Sequence, residues 1–180
     1  MNRRFVFWST FAVGPLILLS YWRGVSAFED PVVYWGNVSS DMQSFIVPWM
    51  FVAAVGYLLM WHRFFFAWSE EDVARLHYPW QEEDGKGVQR LMVLYAAFLL
   101  TSLVWIDLTR IYIEQPGTLQ AVLVVAVLWT AVLASMGFGL LAWATRDELQ
   151  GSRAVLAGSI MLSIQCTWWD AIYWVWHFAW

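Results

Sequence analysis

Charge is scarce in this chain. Only 13% of its 180 residues are Asp, Glu, Lys or Arg, about half the roughly 25% of an ordinary soluble domain. The balance of ten basic and fourteen acidic residues, net −4, excludes the basic footprint of a general nucleic-acid binder. Cysteine is rarer still. Cys166 stands alone in an apolar run, so there is no intramolecular disulfide and no zinc pattern, and the thiol reads as a small core hydrophobe. His62 and His177 sit at the ends of apolar stretches, and two scattered histidines do not make a metal site. No soluble domain, low-complexity tail or internal repeat interrupts residues 1–180, which read as one unit.

Apolar and aromatic residues are what the chain does have, 61% hydrophobic with fifteen tryptophans. A window of about 20 residues finds five apolar spans, near 5–22, 45–63, 91–112, 119–143 and 154–176. The expected fold class is therefore all-α, a polytopic membrane protein built as a bundle of five transmembrane helices. The first span follows Arg3 and Arg4 and contains Pro15, which predicts a kink. It imitates a signal peptide, with Val25-Ser26-Ala27 resembling a cleavage site; the expectation is a retained helix. Residues 23–44 form a long polar-aromatic connection, either mobile or folded as a lid. Pro48 suits the first turn of the second span. In the charged segment 64–90, Ser69 and Asp72 have capping-box spacing and Pro79 is placed to stop the helix they begin.

Positive charge is uneven. With five spans, Arg3, Arg4, Arg63, Arg75, Lys86, Arg90, Arg146 and Arg153 fall on one side, and only Arg23 and Arg110 on the other. That asymmetry predicts the N-terminus inside and the C-terminus outside. In the fourth span Ala131, Ser135 and Gly139 recur every four residues, a small-residue stripe for close helix packing that also offers a seam for a second copy.

Charges inside such spans are costly and mark candidate sites. Asp107 follows Arg90 by 17 residues and Asp170 follows Arg153 by 17, about 25 Å up two helices running in the same direction. Both carboxylates then share the outer leaflet with Trp22, Trp49, Trp105 and Trp168, beneath the first connection. The candidate ligand-binding set is Trp22, Trp35, Trp49, Trp105, Asp107, Arg110, Trp168, Asp170 and Trp174, with no metal. Both aspartates are expected to approach helix C-termini, where the dipole disfavours them and a partner offsets the cost. The blander alternative pairs Asp107 with Arg110 at i, i+3 and makes the tryptophans an interfacial belt.

The third span carries a resemblance. Leu94-Tyr95-Ala96-Ala97, with Trp105 ten residues after Tyr95, resembles the LYAA…W pattern of the TspO/translocator-protein family (the peripheral-type benzodiazepine receptors). Pro48-Trp49 with Gly56-Tyr57 is loosely similar to that family's second helix. Ser102 stands where the family usually has asparagine, Asp107 stands where it has a proline, and the fifth-helix Pro-Tyr-x-x-Trp signature is absent. The resemblance implies five helices and a flat hydrophobic ligand, a tetrapyrrole or a sterol, under the first loop.

The leading expectation is a non-enzymatic protein that binds or transports a planar hydrophobic molecule, with the bilayer and that molecule as partners. Aromatic faces supply area, and a few polar groups orient the ligand. One alternative is a membrane-embedded lipid- or sterol-modifying enzyme shuttling a proton between Asp107 and Asp170, which requires the two to meet. The other is a structural subunit of a larger membrane complex.

Overall fold

The computed structural model describes residues 2–180, and among these there is helix but no strand. The helices are α1 (Arg3–Val25), α2 (Ser40–Ala67), α3 (Glu70–Ala74), α4 (Gly87–Glu114), α5 (Thr118–Ala144) and α6 (Ser152–His177), with a 3-10 turn at Pro31–Trp35. All but α3 are long and apolar enough to cross a membrane. The shortest, 23 residues, is about 34 Å long against a hydrocarbon core of about 30 Å.

Each long helix runs farther than its apolar run. α2 begins at Ser40 because Ser39 caps it, its hydroxyl accepting from Met42 N. Pro48 therefore lies well inside α2 rather than in its first turn. Glu114 and His177 end α4 and α6, so Asp107 and Asp170 each stand seven residues short of a terminus, beyond the last turn in which the dipole acts. The expected electrostatic penalty at a helix end does not arise.

The capping box is present: Ser69 Oγ accepts from Asp72 N, and Asp72 Oδ2 accepts from Ser69 N. The acidic first turn suits the helix dipole. The Ser69 backbone N–H first, and then the Ser69 hydroxyl, both donating to Asp72 Oδ2, hold that carboxyl below its ordinary range. α3 ends at Ala74, before Pro79 is reached.

The long helices stand in the order α1, α4, α5, α6, α2 around the bundle. Close crossings set the spacing. A Cβ on Gly56 of α2 would lie 2.4 Å from the Gly158 carbonyl oxygen of α6, an approach open only to glycine. The stripe of α5 faces α6: Ser159 Oγ donates to Ser135 O at 2.7 Å, Ser163 Oγ donates to Ser135 Oγ, and Gly139 lies against Ser159. Ser135 is wholly buried there, so the seam is used within the chain.

One end of the bundle gathers the eight cations. Arg3 donates to Trp68 O, Trp68 Nε1 donates to Gln150 O, and Arg75 pairs with Glu83 and Glu148. Arg90 clasps Asp84 at 2.7 Å. That bond and the Lys86 backbone hold the Asp84 carboxyl down to about 2.

Candidate functional site

The far end of the bundle is covered. α1 continues to Val25, so only residues 26–39 connect it to α2. This short connection is packed down. Tyr34 is buried and donates its hydroxyl to Gly24 O at 2.9 Å. Trp174 Nε1 donates to Tyr34 O at 2.8 Å, and Asn37 N donates to His177 O. Gly36, at φ 57, lies against the Phe178 backbone, where a side chain would meet both steric and conformational strain. Of the two expectations for this connection, the lid is what the chain forms.

Beneath the lid, α6 changes its winding. Gln165–Trp174 is wound in wide π-type turns, a feature frequent at functional sites because it redirects side chains at the cost of regular bonding. Gln165 Nε2 donates to Asp170 Oδ1 at 2.8 Å. The five-residue spacing of that pair suits a wide turn; on an α-helix the two side chains would point about 140° apart. Asp170 is only half-buried by its neighbours. Among the described residues no cation lies within ion-pair distance of it.

Tyr21 of α1 belongs to the same zone through its ring contact with Trp105. Trp105 of α4 meets Tyr21 at 5.8 Å between ring centroids and Trp174 at 5.7 Å. Trp169 is buried against Phe45 of α2. Among the described residues, four buried polar atoms of α4 and α6 in this region have no hydrogen-bond partner: Gln165 Oε1, Thr167 Oγ1, Trp169 Nε1 and Trp105 Nε1. Four such atoms in one zone is unusual, since most buried polar groups are paired.

On one side the zone is bordered by α1. Thr10, Gly14, Ile17 and Tyr21 form one stripe of α1, spaced by four, three and four. At Thr10 the stripe touches α2 through a hydrogen bond from Trp61 Nε1 at 2.9 Å, beside the rings of Phe7 and Trp61. Gly14 has nothing packed within 4 Å of its Cβ position. Farther along, no hydrogen bond or ring contact among the described residues joins α1 to α2. The two helices have little contact with one another there.

The residues expected to form one pocket divide. Asp107 lies on the α1–α4 seam, paired with Arg23 and, at 3.8 Å, with Arg110, which also holds Glu114. It borders a crevice of about 520 Å³ lined by Leu16, Leu19, Ser20, Trp22 and Leu103. Trp22 and Trp168 are 69% and 54% exposed and point away from the interior. The neighbouring Trp169 turns inward instead. Trp35 and Trp49 pack at the edge of the core, and Trp105, Trp174 and Asp170 share the inner zone. Asp107 and Asp170 therefore have separate partners, and the proton shuttle between them finds no support.

As site residues, Tyr21, Gln165, Trp169 and Arg23 carried no expectation. Gln165 had a signal, being the single amide in the fifth apolar run. Tyr21 and Arg23 had none, because which helix faces α1 is a tertiary fact. Comparison with known proteins adds no relative: no family model, no curated protein and no solved structure matches the chain.

Proposed function

We propose that this chain is a multi-pass membrane protein, N-terminus inside, that binds a flat hydrophobic molecule in the outer half of its bundle. The molecule enters sideways between α1 and α2 and lies under the 26–39 lid among Tyr21, Trp105, Trp169 and Trp174. The observation that carries this reading is the set of unsatisfied buried polar atoms on the wide turns of Gln165–Trp174 and on Trp105, among aromatic rings. Apolar sites with a few placed polar groups are the usual design for such ligands, and an unmatched buried polar atom is costly unless a ligand or water group meets it. The likeness of the third span to the TspO family points the same way. Of its two ligand classes a sterol-like body suits the interior better. A porphyrin's carboxylates would meet Asp170 with no cation nearby, whereas Arg23 and Arg110 are engaged with Asp107 and Glu114.

The test is tryptophan quenching of the purified protein in zwitterionic lipid nanodiscs, titrated with a dibrominated sterol and with a porphyrin. Saturable quenching by the sterol, weakened in Trp105→Ala, supports the reading. Quenching that rises linearly with both probes, as for simple partitioning, refutes it. A reporter fusion placing the C-terminus on the cytoplasmic side refutes the orientation.

A further inference from the structure

Resting on that binding reading, we infer that the ligand's polar end is a protonated amine, held by Asp170. The inner zone contains a single charged residue. Asp170 Oδ1 is taken by Gln165, its other oxygen has no hydrogen-bond partner among the described residues, and the side chain is partly buried. Every cation near the far end is engaged elsewhere: Arg23 and Arg110 hold Asp107, and Arg110 also holds Glu114. A partly buried carboxylate with no cation beside it is favoured by a positive charge brought close to it, so a cationic group suits this position.

The surroundings fit an organic cation better than a metal ion. A hard metal cation takes about six or more oxygen ligands, and Asp170 is the one carboxylate of the inner zone. Among the described residues, no group of three or more metal-ligating side chains forms. Aromatic rings dominate instead. Tyr21, Trp105 and Trp174 lie edge to face in sequence, at 5.8 and 5.7 Å, and Trp169 flanks the acid in the chain. Indole and phenol faces attract an ammonium group, Asp170 supplies the countercharge, and Gln165 Oε1, which is unpaired and 5% exposed, accepts from a second ammonium N–H. A neutral hydroxyl would leave the carboxylate uncompensated, and a carboxylate ligand would be repelled.

One sterol body with three ends tests this. Dibrominated cholestane carrying a 3-amine, a 3-hydroxyl or a 3-hemisuccinate is titrated into nanodiscs of phosphatidylcholine, with tryptophan quenching as the readout. The amine is expected to bind tighter than the hydroxyl by about tenfold or more, and the acid weakest. Asp170→Asn abolishes that preference while hydroxyl binding persists, and Asp170→Glu retains it. Near-UV circular dichroism establishes that each variant is folded, and Gln165→Leu serves as a second probe, narrowing the preference without removing the carboxylate. Saturable binding with equal affinity for amine and hydroxyl overturns the inference and leaves the binding reading standing. An amine preference that survives in Asp170→Asn also overturns it. No saturable quenching by any of the three overturns the binding reading and the inference together.

Discussion

Replacing Gly56 by alanine tests the packing on which the inner zone depends. The new Cβ would sit 2.4 Å from the Gly158 carbonyl oxygen and 2.9 Å from Met161 Cβ. Backbone on one side and a helix-fixed Cβ on the other leave no flexible group to swing away. Ordinary contact begins near 3.4 Å, so α2 and α6 must separate by about 1 Å at their crossing. Overpacking of this kind costs about 3 kcal/mol, the upper part of the usual range, because the obstacle is main chain. Gly14→Ala is the matched control, in a helix of similar length but with nothing within 4 Å; there alanine's greater helix propensity contributes about 1 kcal/mol in favour of folding. Unfolding in mixed detergent micelles, titrated with SDS and followed by circular dichroism, measures both. Gly56→Ala should unfold at clearly lower SDS than wild type, and Gly14→Ala at equal or higher SDS. Equal stability of the two variants would refute the close α2–α6 crossing.

The lid and the charged end give two further expectations. Trp174→Phe removes the N–H that meets Tyr34 O and should cost about 1–2 kcal/mol, with faster amide exchange confined to residues 26–39; unchanged exchange there would show that the bond does not hold the lid. Asp84 is held down to about 2, first by Arg90 and then by the Lys86 backbone, so its pairing stabilises the fold above its unfolded pKa of about 3.9. That contribution fades as pH falls from about 4 toward 2. Asp84→Asn should therefore lower Tm at pH 7 by a small amount, as befits a surface group, and by progressively less as pH falls toward and through 2; a difference independent of pH would contradict the pairing.

The α1–α4 seam shows where reading the chain by itself stops. Asp107 and Arg110 are three residues apart on one helix, and their pairing follows from helical spacing; at 3.8 Å it is the looser of the carboxylate's two ion pairs. The closer partner, Arg23, is 84 residues away, on a helix whose neighbour no periodicity reveals. Equal spacing from Arg90 and Arg153 placed two aspartates at one height, but height says nothing about azimuth. Asp107 faces α1 across the outside of the bundle, whereas Asp170 turns inward because the wide turns of Gln165–Trp174 shift the register of α6. The same shift carries Trp169 inside and leaves Trp168 out. An i, i+4 rule applied to an α-helix cannot anticipate it.

Composition and local chemistry alone determined a good deal: five apolar runs of spanning length, the cations gathered at one end, the capping box of Ser69 and Asp72, and small residues where helices cross. Each is a consequence of chain-local physics, the burial of apolar surface and the pairing of nearby backbone groups. Only the tertiary structure decided the order of helices around the bundle, the slight contact of α1 with α2 beyond Thr10, and the separation of Asp170 from the cations among the described residues. Those depend on which faces of separate helices meet, and helices apolar on nearly every side carry no sequence pattern that marks one face as the inner one.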